Sequence, residues 1–269
     1  MRKHESIDWY ATPLYYDIVF EEDTTREGDF IEAALARFGR LRRDRRRNRR
    51  ERLRLLEPAC GSGRLVAEMA RRGYAVTGFD RLPQALEFAR KRLEQQGLRA
   101  RLVEGALESF RFREKFAVAH CLVSTFKYLL TGKAARDHLR CMARALEPGG
   151  IYLLGFHLSD YHWPFCQHER WVNERDGVRV VCNIRSWPAD PVTRRERCRS
   201  RLRIEEGGRV KLAETDWWFR SYDADQVKRL LATVPELEHV ATYDFCYDWT
   251  RPRELDMKLL DTLLILRRR

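Results

Sequence analysis

Residues 55–69, LLEPACGSGRLVAEM, decide the fold of this chain. The stretch starts as a short apolar run, passes through a glutamate and two glycines that flank a serine, and continues with apolar residues at helical spacing. A glycine-rich turn between a strand and a helix exposes backbone N–H groups, which usually receive a polar or anionic group. The first question is therefore which ligand this turn holds.

Short apolar runs alternate with amphipathic stretches on both sides of this turn. The runs that we interpret as strands are residues 53–59, 74–80, 99–107, 115–125 and 151–158. The stretches that we interpret as helices begin at about residue 25 and cover 63–73, 83–97 and 133–150, the last closed by Pro148-Gly149-Gly150. This alternation predicts a mostly parallel sheet with helices on both faces.

The pattern changes after Ser159. Residues 161–222 lose the helical period and read as strands joined by turns, which predicts an antiparallel meander. A helix with Ser221 or Asp223 as N-cap and two strands, 239–248 and 261–269, follow. We expect an N-terminal lid segment and helix (1–52), a core (53–158), an antiparallel β insertion acting as a substrate lid (159–222), and a C-terminal part that completes the sheet (223–269).

The composition limits the partners of the chain. Its 269 residues contain no run of 18 apolar residues and no recognisable signal peptide, so we expect a cytoplasmic protein without a membrane partner. Seven cysteines without a C-x-x-C pair predict reduced thiols and no metal site. The net charge of +12 is concentrated in the arginine-rich run 37–54. We interpret this run as the solvated face of a helix and its loop, with a nucleic-acid surface as the alternative.

Two classes of ligand use a glycine turn of this kind, dinucleotides and cofactors related to S-adenosylmethionine. A dinucleotide site has the spacing G-x-G-x-x-G, but Gly61 and Gly63 are followed by Val66 where the third glycine belongs. Glu57 ends the preceding strand and would repel a pyrophosphate. Asp80 ends the next strand and can accept hydrogen bonds from ribose hydroxyls in either class. The pattern favours the cationic cofactor.

The segments LLEPACGSGR (55–64), VTGFD (76–80) and ALEPGGIYLL (145–154) resemble the class I S-adenosylmethionine-dependent methyltransferase superfamily. The N-terminal YATPLYYD (10–17) and the meander further resemble those members that act on small molecules. The resemblance is close over residues 53–158 and looser over the last fifty. It implies a Rossmann-like, doubly wound, seven-stranded sheet, into which the β lid is inserted. It also implies S-adenosylmethionine as cofactor.

The resemblance also assigns the cofactor residues. Glu57 would bind the amino group of the cofactor, and Asp80 would hold its ribose. An ordinary strand-end charge for Glu57 and a helix N-cap for Asp80 are the alternatives. The remaining candidates are those that would approach the methionine or adenine end or close over it: Tyr15, Ala59, Cys60, Gly61, Gly63, Arg81, Leu82, Ala106, Leu107 and Leu122. Ala106 and Ala117 stand where many relatives carry acids, and the first of these acids binds the adenine amino group.

The sequence is less specific about the residues that would contact the methyl acceptor. His157 and His162 follow the fifth strand and are candidate general bases, although a core or surface role is as compatible with the sequence. Tyr10 and Tyr16 belong to an aromatic cluster that forms either a lid with its hydroxyls near the transferred methyl or a staple for the first helix. We list His157 and Tyr16 as catalytic candidates. The substrate candidates are Tyr10, Trp163, Trp218 and Arg220; of the adjacent Trp217 and Trp218 only one is expected to face the pocket.

We therefore predict methyl transfer to an oxygen or nitrogen of a small molecule by a monomer or homodimer. The alternatives are an RNA or protein methyltransferase that uses the arginine-rich run, and a catalytically silent relative that binds cofactor only. A nicotinamide dehydrogenase is the most distant alternative.

Overall fold

The structure is a computed structural model that describes residues 5–21, 24–41 and 52–269. Its helices are α1 (Pro13–Val19), α2 (Thr24–Phe38), α3 (Arg64–Arg71), α4 (Pro83–Gln95), α5 (Gly132–Ala145) and α6 (Ala224–Ala232). Its strands are β1 (Glu5–Ser6), β2 (Arg54–Pro58), β3 (Ala75–Asp80), β4 (Arg101–Glu104), β5 (Phe116–Cys121), β6 (Leu146–His157), β7 (Gln167–Arg175), β8 (Val178–Ser186), β9 (Arg195–Glu206), β10 (Arg209–Arg220), β11 (Leu237–Tyr243) and β12 (Asp261–Arg268). Two 3₁₀ turns cover Trp9–Ala11 and Thr125–Tyr128.

The central sheet has seven strands within the described ranges, in the order β11-β12-β6-β5-β2-β3-β4. Strands β2 to β6 pair in parallel, whereas β12 is antiparallel to both of its neighbours. Apolar side chains fill both faces of the sheet, with α2 to α4 contributing to one core and α5 and α6 to the other. Strands buried on both faces read as continuous apolar runs, which is why the sequence predicted them. The predicted Rossmann-like α/β fold is confirmed.

The second sheet is built from the predicted meander. Strands β7 to β10 are antiparallel, and β1 adds to β10 in parallel. Two of the hairpins turn at Asp176-Gly177 and at Gly207-Gly208, where the backbone has positive φ. Such tight turns suit the right-handed twist of paired strands. Ile18 and Val19 of α1 pack against the inner face of this sheet, so the N-terminal segment is fixed to it.

The structure differs from the sequence prediction around residues 146–150. Helix α5 ends at Ala145, and β6 already begins at Leu146 and runs through the Pro-Gly-Gly segment to His157. Gly149 has φ +80°, and its carbonyl accepts a hydrogen bond of 2.8 Å from Arg40 N–H. A Cβ at Gly149 would lie 2.0 Å from the Arg40 carbonyl oxygen. This glycine therefore allows the chain after α2 to approach the sheet, a role that local sequence does not show.

Candidate functional site

A cavity of about 1780 Å³ is lined by the C-terminal ends of the parallel strands, by the second sheet and by α1. Ligands of open α/β sheets lie at this edge of the sheet. Small-molecule pockets typically measure roughly 300–1,000 Å³. The cavity therefore has room for two molecules side by side, such as a cofactor and an acceptor.

The buried end of the cavity contains an unusual carboxylate. Glu57 ends β2 and is buried, and its Oε2 has no hydrogen-bond partner among the described residues. It lies 3.8 Å from Nε2 of the buried His120, which also lacks a partner there. Burial raises the pKa of Glu57 well above its usual value; Arg64 opposes this shift, and the Glu27 carboxylate adds to it. A buried acceptor without a donor costs free energy, so the site is suited to a ligand that brings a cationic donor.

The ring of His120 does not supply that positive charge. Burial lowers the pKa of His120 to about 3, with a further contribution from Arg64, so the ring is neutral at pH 7. Arg64 itself is paired with Glu27, which also lines the cavity. The three acids Glu27, Glu57 and Asp80 thus lie around this end of the cavity, and Arg64 is already engaged with one of them.

Asp80 connects the end of β3 to the glycine turn. Its Oδ2 accepts a hydrogen bond of 2.9 Å from Gly61 N–H, and its Oδ1 accepts one of 3.0 Å from Leu82 N–H. Burial raises the pKa of Asp80, and the backbone hydrogen bonds from Leu82 and Gly61 oppose the rise. A carboxylate oxygen can accept more than one hydrogen bond, so both oxygens retain capacity for a ligand hydroxyl. Asp80 therefore orders the turn and also presents an acceptor to the cavity.

The turn itself depends on unusual backbone conformations. Ala59 (φ 51°) and Gly61 (φ 51°) have positive φ, and both line the cavity. Gly63 also has positive φ (73°) but lies at the N-terminus of α3, where an added Cβ would be 2.7 Å from Cβ of Ala89. Gly61 thus faces the ligand space, whereas Gly63 permits close packing of α3 on α4.

Tyrosines of the N-terminal segment close one side of the cavity. The ring of Tyr10 lies 5.3 Å from that of Tyr16, and its hydroxyl is hydrogen-bonded to the hydroxyl of Tyr128. Burial raises the pKa of Tyr128 well above its usual value, so the Tyr128 hydroxyl stays protonated at neutral pH. Tyr10, Tyr16 and Tyr128 all line the cavity.

Two charged pairs mark the rest of the wall. His157 Nδ1 lies 2.8 Å from Asp261 Oδ1 across the β6–β12 pair, and this hydrogen bond lowers the pKa of Asp261. Lys127 is buried and donates a hydrogen bond of 2.8 Å to Glu196 on β9. The Lys127 ammonium also lies 5.1 Å from the centroid of the Phe219 ring. The first pair thus lies within the central sheet, whereas Lys127 links the segment after β5 to the second sheet.

Most of the residues singled out from the sequence share this cavity. Those that line it are Tyr10, Tyr16, Glu57, Ala59, Cys60, Gly61, Asp80, Arg81, Leu82, Ala106, Leu107, Leu122, His157 and Trp163. Their individual roles stay predictions.

Four candidates lie elsewhere. Tyr15 packs against the small core beneath α1, and Gly63 packs against α4. Trp218 is 50% exposed, while its neighbour Trp217 lines the cavity, because successive residues of a strand project to opposite faces. Arg220 reaches towards the Leu130 carbonyl, outside the cavity lining. His162, the other candidate base, also lies outside the cavity lining. The contacts with cofactor or substrate that the sequence predicts for these residues stay predictions.

Sequence reasoning missed His120, Lys127, Glu196 and Asp261. His120 carried a signal, since it is a polar residue within an apolar strand. The others carried none, because each is distant in sequence from the partner that brings it to the cavity. Residues 42–51, the greater part of the arginine-rich run, lie outside the described residues. No helix of the described chain is long and apolar enough to cross a membrane.

A Rossmann-like fold with an acidic pocket at the glycine turn is typical of a class of transferases. The comparison with known proteins gives the same class. Residues 55–150 match a family model described as a methyltransferase domain. This match agrees with the resemblance to class I S-adenosylmethionine-dependent methyltransferases that the motifs predict.

Relatives and solved structures extend this result. The chain is 28% identical over 109 residues to the putative methyltransferase YqeM of Bacillus subtilis, a match that covers 40% of this chain and 44% of YqeM. It is 28% identical over 131 residues to the dTDP-3-amino-3,4,6-trideoxy-alpha-D-glucopyranose N,N-dimethyltransferase of Streptomyces venezuelae, covering 47% of this chain and 52% of that enzyme. The chain thus spans about half the length of these curated relatives.

The similarity in fold extends over more of this chain than the similarity in sequence does. An S-adenosylmethionine-dependent methyltransferase from Clostridium acetobutylicum superposes with a TM-score of 0.74 at 16% identity, covering 96% of this chain and 98% of that structure. The second sheet and the N-terminal segment are therefore part of an architecture that other proteins share.

Proposed function

We propose that this chain transfers a methyl group from S-adenosylmethionine to an oxygen or nitrogen of a small molecule. The observation that carries the proposal is the buried, unpartnered Oε2 of Glu57 at the floor of a cavity large enough for two molecules. An acid in this position favours a ligand with an ammonium group and disfavours a diphosphate.

The residues present fit the cofactor. Glu57 would accept hydrogen bonds from its amino group, and Asp80 would accept from its ribose hydroxyls, while the backbone around Gly61 approaches its methionine part. When bound, S-adenosylmethionine supplies an electrophilic methyl group on a sulfonium. The protein contributes alignment and exclusion of water.

His157 is our candidate for the group that accepts a proton from the acceptor. Nδ1–H donates to Asp261 Oδ1 at 2.8 Å, which leaves Nε2 as the basic nitrogen. The Asp261 carboxylate also favours the imidazolium that forms. A base is needed only when the acceptor must lose a proton, as an alcohol or an ammonium must. Tyr16, which lines the cavity beside Tyr10, would border the reacting atoms.

A small acceptor is supported by the enclosure of the cavity. The second sheet and α1 cover the edge of the central sheet, and aromatic side chains such as Trp163 and Trp217 form part of the wall. The Streptomyces relative, by its name, dimethylates an amino sugar. An amine or hydroxyl on a sugar-sized molecule is accordingly the first acceptor class to test.

The test uses purified chain, methyl-labelled S-adenosylmethionine and a metabolite extract, followed by identification of the labelled product. We expect label in a small molecule, and less of it with Glu57→Gln. Label in RNA or protein would instead establish the alternative that uses the arginine-rich run. Cofactor binding without label in any fraction would show a silent binding protein.

A further inference from the structure

Three arginines come together at the end of the β9–β10 hairpin, outside the cavity described above. Arg195 lies directly opposite Arg220 in the strand register, and Arg194 precedes Arg195. Like charges directly opposite each other on a sheet destabilise it. Two of these guanidinium groups lie near the Tyr222 ring, with Arg194 Cζ at 4.9 Å and Arg220 Cζ at 5.7 Å from its centroid.

The cluster has no acidic counterpart. Farther along β9, Arg197 and Arg199 form ion pairs with Asp216, and Arg201 pairs with Glu214. In the described chain, by contrast, no carboxylate lies within ion-pair distance of the three clustered arginines.

The hydrogen bonds of these three clustered arginines are also incomplete. Arg194 donates to the Ser221 carbonyl at 3.0 Å, and Arg220 donates to the Leu130 carbonyl at 3.4 Å. Arg195 Nη1, Arg220 Nε and the hydroxyl of the buried Tyr222 are without a hydrogen-bond partner in the described residues. A buried donor without an acceptor costs free energy, which a bound acceptor would recover after a small side-chain rotation.

The N-terminus of helix α5 adds positive electrostatic potential beside the arginine cluster. Arg220 reaches the residues that precede helix α5, and its Nη2 lies 3.6 Å from the position of a Cβ on Gly132, the first residue of that helix. A helix N-terminus carries partial positive charge and normally attracts acids, so an arginine there is on the unfavourable side. Burial lowers the pKa of Arg220, and the neighbouring Arg194 lowers it further.

We propose that Arg194, Arg195 and Arg220, together with the N-terminus of α5, bind a phosphoryl group. Three guanidinium groups with unused donors match a dianion with three or more acceptor oxygens better than a single carboxylate. The site adjoins the cavity, because Leu130 and Thr131 line its wall. It thus suits the phosphate of a phosphorylated small molecule or free phosphate. The proposal stands independently of methyl transfer.

Isothermal titration calorimetry of the full chain at low salt tests it, with inorganic phosphate and glucose 1-phosphate as separate probes. We expect saturable binding of at least one probe, weakened about tenfold or more by Arg220→Gln and less by Arg220→Lys, which retains the charge but loses the planar fork. Tighter binding of glucose 1-phosphate than of phosphate would assign the site to a phosphorylated acceptor. Equal binding would assign it to free phosphate.

Arg201→Gln is the matched control. It removes the same charge from the neighbouring strand β9, but from an arginine that is already paired with Glu214. Affinity for S-adenosylmethionine should stay within about twofold of wild type in every variant, which verifies folding and separates this site from the cofactor site. Absence of binding of either probe to wild type, or an equal loss in Arg201→Gln, overturns the proposal.

Discussion

Replacing Glu57 by Gln should change ligand affinity and stability in opposite directions. The substitution keeps the shape of the side chain and removes one buried negative charge that has no partner at Oε2. A hydrogen bond to a charged group contributes about 1.5–3 kcal/mol. Loss of the charge should therefore weaken S-adenosylmethionine binding by about tenfold to a hundredfold.

The same change should stabilise the free chain. Burial raises the pKa of Glu57, so the folded chain holds this proton more tightly than the unfolded chain does. Where the unfolded state binds fewer protons, stability falls as pH rises. The loss of stability that comes from burying ionised Glu57 is thus absent below the ordinary glutamate pKa of about 4.5. It grows as the pH rises towards the pKa that Glu57 has in the folded chain. We expect Glu57→Gln to raise the melting temperature at pH 7.5 more than at pH 4.5.

Calorimetry for affinity and differential scanning fluorimetry at the two pH values measure both effects. Glu104→Gln is the control, because Glu104 ends strand β4 of the same sheet but is exposed and lies outside the cavity lining. It should change neither quantity appreciably. A lower melting temperature for Glu57→Gln at pH 7.5, or unchanged cofactor affinity, would refute the assignment of Glu57 as an unpaired cation acceptor.

Three further predictions follow from the same geometry. Asp80→Asn should weaken cofactor binding at least about tenfold by calorimetry, because an amide reproduces only part of the acceptor capacity of the carboxylate. Gly63→Ala should lower the free energy of unfolding in urea by about 1–3 kcal/mol, since φ is +73° and the new Cβ meets Ala89 at 2.7 Å; unchanged stability would contradict this packing. With an acceptor in hand, His157→Gln should reduce kcat by about a hundredfold because it removes the basic nitrogen, and Asp261→Asn should cause a smaller loss because it removes the carboxylate that orients the ring; an unchanged kcat in His157→Gln would exclude this base.

The sequence was sufficient for the central sheet because its information is local. Strands β2, β3, β5 and β6 are buried on both faces and appear as short apolar runs separated by helical periodicity. The glycine turn and the acids at residues 57 and 80 follow directly from their positions at strand ends. These features need no knowledge of distant parts of the chain.

The acceptor side was not predictable in the same way. His157 and Asp261 are 104 residues apart, and Lys127 and Glu196 are 69 apart. The first pair forms because β12 pairs with β6 inside the central sheet, and the second forms because the two sheets meet at the cavity. The choice between Trp217 and Trp218 depended on which face of β10 turns inward, and strand alternation alone leaves that undecided.

The electrostatics of the cavity argue that net charge is a poor guide to the ligand of this protein. A chain with a net charge of +12 is expected to attract anions over its surface. The floor of the cavity has the opposite character, because Glu27, Glu57 and Asp80 surround it and Arg64 is engaged with Glu27. Dissolved salt at about 0.1 M screens the surface charges beyond about 10 Å, whereas charges in the buried floor interact at a lower effective dielectric constant. A ligand in the cavity would therefore interact mainly with the few buried acids, whereas the surface arginines would act on molecules that approach from outside.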